Sequence, residues 1–555
     1  MATRSPFSND VCNHLLTLFF SSLLLITIFS TPALAAEPES TAVSSTHFPT
    51  DSPLDIEELN SSASETVEIV VRLEEVTIPE TASDADAEQL LTDHANETQV
   101  PVLEYAATTP GVSVETEFWL TNAVLLEVDP DRIELEALES VTAVETVHRN
   151  FELTIQEPQT TRQTGETSST AIGTESHQST AGIELLNAPA VWDAYETRGD
   201  GVRVAVLDTG IDAAHPDIDL YTANSSDPTY PGGWAAFDET GDRVDGSTPY
   251  DSGVHGTHVS GTVAGGGASG TQIGVAPDVE LLHGLVLNET SGSFAQLIAG
   301  MEWALEEDAD VINLSLGMTG TYSQLVDPVT HAIESGAVVV AAVGNEGVDS
   351  SSSPANVYDV ISVGAVHEDG TVASFSGGEH LNRSEWHTAP ETWPTSYVVP
   401  TAVAHGVGVT SAVPGGGYQA LPGTSMATPH VSGTVALLLS VEPDATPNAV
   451  STALSETAWK PDGAITPQRP TTMDTRYGYG IVDAKATTDA VVAVHSDTET
   501  SVTDETAETE ATETMATRET PPFSRLVAGT AALVVTTISV ATLLLARSLA
   551  RETKR

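Results

Sequence analysis

Four short segments, residues 202–207, 311–314, 337–342 and 360–363, are apolar almost throughout. A strand with one wet face alternates between apolar and polar residues, so runs like these belong to strands covered on both faces. Helical stretches at 294–306 and 330–335 fall between them. Strands and helices in alternation imply an α/β fold, a parallel sheet with helices on both faces. Such sheets carry their chemistry at the C-terminal ends of the strands.

Three segments put reactive residue types in that setting. The first apolar run leads straight into Asp208-Thr209-Gly210-Ile211-Asp212, so Asp208 stands at a strand end. His255-Gly256-Thr257-His258-Val259-Ser260-Gly261 opens a run of small residues typical of a tightly packed helix, which would hold an imidazole rigidly. Gly423-Thr424-Ser425-Met426-Ala427 places a small serine at the mouth of a helix. A helix start is positive and offers free backbone N–H groups, which suits an oxyanion. Taken singly, such a serine is an N-cap, the aspartate a turn former and His258 a packed helix residue. A serine hydroxyl becomes a nucleophile only when a base removes its proton. An acid and a base ahead of the serine supply that base. The order excludes an α/β-hydrolase, in which both partners follow the serine.

These motifs resemble the active-site signatures of the subtilisin-like serine proteases, the subtilases, over residues 183–495. Asn345, just past the run 338–342, is similar to the family's oxyanion asparagine, and Ser315-Leu316-Gly317 to the segment lining its substrate cleft. The resemblance implies that Ser425 attacks a peptide carbonyl, that His255 takes and returns the proton, and that Asp208 orients His255. It implies an oxyanion site at Asn345 and a cleft walled by Ser315, Leu316, Gly317 and Gly344. Substrates would be proteins or peptides, and catalysis would need no cofactor. A subtilase fold kept only as a binding module would have lost a triad residue, and none is missing. The small cleft residues, Ser352 included, imply an open pocket for apolar side chains.

The rest of the chain divides by composition. Residues 67–150 approach the β-α-β-β-α-β order of a ferredoxin-like sandwich. Strands are expected at 67–73, 120–128 and 141–147, with one more between 106 and 120; helices are expected at 85–104 and 132–138. Place and pattern resemble the inhibitory propeptide of subtilases, an intramolecular inhibitor; a generic small α+β domain is the alternative. Residues 36–66 and 151–182 read as linkers, the second holding a maturation site that the protein itself cuts.

Both ends point to a membrane. Residues 1–35 read as a signal peptide, with an apolar core before Ala33-Leu34-Ala35; an uncleaved anchor is the alternative. Residues 496–525 form a Thr/Glu-rich stalk, and 526–546 are uncharged and long enough to cross a bilayer. The basic tail 547–555 should stay cytoplasmic, leaving the catalytic domain outside the cell membrane on a single span.

Composition adds a setting. The net charge of −60, from 79 acidic against 19 basic residues, argues against nucleic-acid binding. Few lysines among many carboxylates is the balance expected in concentrated salt, where screening relieves self-repulsion, and it resembles haloarchaeal subtilases. The one cysteine, Cys12, lies in the signal peptide, so the mature protein would hold no disulfide. Calcium is the family's usual substitute, and Asp217 matches one of its ligands, although the glycine-rich loop 265–272 departs from the family's ligand-bearing loop. Between 376 and 399 the chain inserts His380, Trp386, His387 and Trp393 in a Pro/Thr-rich stretch that reads as a solvated loop.

Overall fold

A computed structural model describes residues 66–79, 81–133, 137–155, 179–461 and 473–494. The segments read as signal peptide, stalk, membrane span and basic tail lie outside these residues, as do most of the two linkers. Among the described residues no helix is long and apolar enough to cross a membrane.

The N-terminal domain runs β1 (Val67–Leu73), α1 (Asp84–Thr98), α2 (Val100–Thr108), β2 (Val112–Phe118), β3 (Ala123–Val128) and β4 (Val144–Arg149). Its antiparallel sheet has the order β2-β3-β1-β4, with β1 and β3 paired at the centre. The expected hidden strand is β2. The helix expected over 85–104 is two helices, because Pro101 has no N–H with which to continue the ladder. β3 and β4 each start three residues later than their patterns suggest. Each follows a residue in the left-handed region, Asn122 (φ 38°) and Ala143 (φ 69°), which ends the turn before it. The helix expected over 132–138 falls across residues 134–136, outside the described residues, and Arg132 and Ser140 beside them close turns. Along β1, Ile69, Val71 and Leu73 pack with Val102 and Ala106 of α2, while Val70 joins a separate core on the other face. The sheet is therefore covered on both sides.

After β5 (Glu152–Thr154) come α3 (Ala181–Leu185), α4 (Ala188–Tyr195), β6 (Arg203–Asp208), β7 (Trp234–Ala236), α5 (His255–Ala264) and β8 (Glu280–Leu285). The chain continues through β9 (Ser291–Ser293), α6 (Phe294–Glu306), β10 (Val311–Leu314), β11 (Met318–Thr319), α7 (Val326–Glu334), β12 (Val338–Ala342) and β13 (Ser352–Ser353). It continues with β14 (Ile361–Val366), β15 (Glu379–Asn382), β16 (Ser396–Val399), β17 (Ala402–His405), β18 (Val409–Val413), β19 (Gly417–Leu421), α8 (Thr424–Val441) and α9 (Pro447–Thr457), and residues 484–494 are helical again.

A parallel sheet of order β17-β14-β12-β10-β6-β8-β7 forms the centre of the larger domain. The four apolar runs are β6, β10, β12 and β14, and they lie side by side in it. Helices α5 and α8 close one face and α6 and α7 the other, each over its own apolar core. That second core also takes Val70, Phe118, Leu125 and Leu153, so the N-terminal domain is seated on α6 and α7. The stretch 330–335 is the end of a longer α7.

The insertion at 376–399 departs from the solvated loop expected of it. It carries the hairpin β15–β16, and Trp386, Trp393 and Tyr397 are at most 9% exposed. Their rings stack edge to face at 5.6 and 6.0 Å. Burying three large aromatic surfaces outweighs the polar composition of the segment, while His380 and His387 stay exposed.

Candidate active site

The acid and the base meet because β6 ends where α5 begins. Asp208, the last residue of β6, is fully buried, and its Oδ1 and Oδ2 lie 2.8 and 3.0 Å from Nδ1 of His255, the first residue of α5. A carboxylate can only accept, so Nδ1 carries the proton and Nε2 is left as the basic nitrogen. Asp208 Oδ1 also accepts from Thr209 N at 2.7 Å, which holds the carboxylate in place.

Several residues without any recognisable motif brace this pair. Asp251 Oδ1 accepts from Thr209 Oγ1 at 2.7 Å, and its Oδ2 accepts from Thr257 N and Oγ1 at 2.9 and 2.6 Å. Gly256 N donates to Thr209 Oγ1 at 2.9 Å. The residues beside the acid are thereby tied to those beside the base. Gly210 N donates to Nε2 of His283 at 3.1 Å, an acceptor role that needs a neutral ring. Burial supplies that ring, lowering His283 to about 4. His258, one turn on from His255, is likewise lowered to about 4, by burial first and then by the charge of His255. It is the packed helix residue expected, with Nε2 2.9 Å from Val409 O. No local sequence pattern marks either Asp251 or His283 as a brace.

The serine segment is shaped by Gly423, whose φ of 149° and ψ of 157° would strain any side chain. Ser425 then lies in the first turn of α8, 4% exposed. Thr424 N and Oγ1 donate to Asn345 Oδ1 at 2.9 and 3.1 Å. These bonds fix which end of the Asn345 amide is oxygen and turn its nitrogen toward Gly423, where a Cβ would stand 3.8 Å from Nδ2. Ser315 Oγ donates to Ser425 O at 2.9 Å. Behind it, Asn313 Nδ2 donates to Ser315 Oγ and Ser432 Oγ donates to Asn313 Oδ1, a polar spine from β10 into α8.

A cleft runs past this group, and a strand lies in it. β5 pairs antiparallel with β9, Leu153 opposite Gly292, while Thr154 exchanges backbone bonds with Gly317 at 3.1 and 3.3 Å. Ile155 N donates to Thr290 O at 2.9 Å. Glycines are required on both walls. A Cβ at Gly292 would meet Val286 O at 2.0 Å, and one at Gly317 would meet Ser353 O at 2.6 Å. Leu153 and Leu316 are 1% and 3% exposed in one apolar cluster, and Ser352 is buried at 1%. Gly344 has φ 109° and turns the chain between β12 and Asn345.

The N-terminal domain grips the outer helices through charged groups. Leu120 N donates to Glu302 Oε1 at 2.8 Å, and His331 Nδ1 donates to Leu120 O at 2.7 Å. Arg72 is 4% exposed and pairs with Glu75 and with Asp327 of α7.

Asp217 lies apart from the Asp208–His255 pair, against the β18–β19 hairpin. Its Oδ2 accepts from Tyr418 OH and its Oδ1 from Ala268 N, both at 2.5 Å, and His215 Nε2 donates to Gly417 O at 2.9 Å. Both carboxylate oxygens thus already hold protein donors, and among the described residues no three acidic, histidine or cysteine side chains converge as metal ligands do. In this arrangement Asp217 anchors the hairpin.

Comparison with known proteins agrees with this geometry. Residues 199–480 match the model of the subtilase family. Subtilisin amylosacchariticus of Bacillus subtilis subsp. amylosacchariticus is 40% identical over 283 residues, 50% of this chain and 65% of that protein. The subtilisin of Bacillus pumilus is also 40% identical over 283 residues, here 90% of its length. An intracellular serine protease of Paenibacillus polymyxa is 38% identical over 263 residues, 46% of this chain and 72% of its own. The chain therefore spans about two thirds of the first relatives.

Proposed function

The chain belongs to the subtilase family, and on that premise we propose that it is a serine endopeptidase acting through an acyl-enzyme. The observation that carries the proposal is the bond from His255 Nδ1 to buried Asp208, with Ser425 seated at a helix start beside Asn345. Ser425 Oγ attacks the carbonyl, His255 Nε2 takes its proton and returns it to the leaving amine, and Asp208 stabilises the charged ring. The Asn345 amide nitrogen and the Ser425 backbone N–H receive the oxyanion. No cofactor is needed. The cleft walls Ser315, Leu316, Gly317 and Gly344 bind the substrate backbone as a strand, as Gly317 holds Thr154 of β5.

The N-terminal domain is read as an inhibitory propeptide, with Glu152–Thr154 occupying the cleft as a product would. The expected maturation site within 151–182 lies mostly outside the described residues. The chain is further read as secreted, tethered by residues 526–546 and suited to salt, as its composition suggests, with structural calcium at Asp217 part of the same reading. The test is cleavage of an unfolded protein, followed from low to molar NaCl with and without a phosphonofluoridate. Peptide-bond cleavage that rises with salt, with the label on Ser425, is expected. Unlabelled Ser425, or no cleavage at any salt, would overturn the enzyme reading; activity lost as salt rises would remove the salt reading alone.

Release of the domain should depend on pH. Burial raises Glu302 to about 8 and Glu75 to about 7. Exposed by release, each returns toward the ordinary value of about 4.3. The docked state therefore holds protons that the released state gives up, so docking is strongest at acid pH and weakens as pH climbs toward 8. His148 is buried against Phe151 and Phe294 and lowered to about 3, which opposes docking only as pH falls below its ordinary value of about 6.5. Two carboxyls outweigh one imidazole between about pH 5 and 7, and Glu302 acts alone up to 8. In the uncut Ser425→Ala chain, the protection factor of the Leu120 amide should fall roughly tenfold or more across this range. Glu302→Gln should flatten the upper part of that fall; an unchanged profile would remove Glu302 from the account.

A further inference from the structure

A second site lies at the far end of the sheet. Asp208 ends a strand and Ser315 and Asn345 follow strand C-termini, whereas Tyr358, Asp359 and Thr401 precede β14 and β17. Between those strand starts, the insertion hairpin and helices α7 and α9 is a cavity of about 1040 Å³. One wall is aromatic. Tyr358, Trp393 and Tyr397 all line it, with ring centres 5.2 to 6.0 Å apart. The other walls carry Glu334 from α7, Asp359, and Glu456 from α9 among serine and threonine hydroxyls. Among the described residues no lysine, arginine or histidine lines the cavity.

Ring faces are negative and attract cations, and methylene chains lie well against them. Trp393 Nε1 donates to Asp359 Oδ2 at 2.9 Å, which locks a ring to a carboxylate. Desolvation raises the carboxyls of Asp359 and Glu334, with the charge of nearby His331 opposing the rise at Glu334. The three carboxylates come from three elements and, among the described residues, no three such groups converge as metal ligands do. A single metal ion therefore does not suit them, and the volume is far larger than one ammonium group. Trp393 and Tyr397 come from the segment 376–399, whose hairpin β15–β16 forms this side of the cavity.

We propose that this cavity binds an aliphatic polyamine, its ammonium groups at the separated carboxylates of Glu334, Asp359 and Glu456 and its methylene chain across Tyr358, Trp393 and Tyr397. Binding there leaves the catalytic cleft untouched, because the cavity lies at the opposite ends of the strands. The inference does not depend on the protease reading, since it can be tested in a chain that cannot cleave.

The experiment titrates full-length Ser425→Ala protein in detergent with spermine at constant ionic strength, followed by calorimetry and tryptophan emission. n-Butylammonium serves as the single-charge control. One saturable site with a change in emission is expected, and spermine should bind at least tenfold tighter than n-butylammonium. Tyr358 is 44% exposed and Glu456 is exposed, so Tyr358→Ala and Glu456→Gln should keep the thermal midpoint measured without amine. Each should weaken spermine at least tenfold. Unsaturable binding, or equal binding by both variants, would mean diffuse attraction to a chain of charge −60 and would overturn the site. Equal affinity for the two amines would overturn the polyamine as its ligand.

Discussion

Ser425→Ala should lower kcat by about 10⁶-fold, the scale measured for the triad serine of subtilisin. The effect is large because the hydroxyl is the only atom of this group that forms the new bond, and the rest of the site has no partner for it. Adding His255→Ala should cost little more, since a base with no nucleophile to serve has nothing left to do. KM should change little, because Ser315 still donates to Ser425 O and the cleft walls are untouched. The same substitution should leave the N-terminal domain joined. N-terminal sequencing of wild type and Ser425→Ala recovered from membranes checks both points together. A Ser425→Ala chain that matures without other proteases would end the self-processing proposal. Full activity would end the catalytic one. Wild type absent from the membrane fraction would end the tether.

Asp208→Asn should cost about 10⁴-fold in kcat, the figure known for the same change in a chymotrypsin-like triad. The local bonds here say why. Asp208 Oδ1 accepts from Thr209 N at 2.7 Å, and only an oxygen can do so. An asparagine that keeps this bond has its oxygen at Oδ1, 2.8 Å from Nδ1, and its NH₂ in place of Oδ2, 3.0 Å from Nδ1. The NH₂ hydrogens repel a proton on Nδ1, so the tautomer with the proton on Nε2 is favoured, and with it the base is lost although every heavy atom stays in place. Nitrogen chemical shifts of His255 read the tautomer directly. A variant with the proton still on Nδ1, or with wild-type kcat, would contradict the argument; an unfolded one would show as a lost thermal transition.

The α/β sheet was legible because strands buried on both faces need apolar residues at every position, so β6, β10, β12 and β14 announce themselves locally. The three catalytic motifs were legible because small residues must surround a rigid imidazole and a tight helix start. The braces were not. Asp251, Asn313 and His283 are ordinary residue types whose value comes only from what lies opposite them. The insertion misled for the same reason. Trp386 and Trp393 look stranded among prolines and threonines until Tyr358, Asp359 and Tyr397 are brought against them. Starts of β3 and β4 slipped because a single left-handed residue, not a change in apolar pattern, sets where each begins.

Taken alone, the sequence determined the architecture, the membership of the catalytic group and the chain order that distinguishes it from other serine hydrolases. The tertiary structure decided which nitrogen of His255 is basic, which end of the Asn345 amide is oxygen, and which strand pairs with β9 beside Gly317. The division is physical. Apolar periodicity and tight turns act over a few residues and leave a local trace. The bonds that set a proton or an amide join groups 47 residues apart for Asp208 and His255 and 79 apart for Asn345 and Thr424. Such bonds exist only once the sheet and its helices have closed around them.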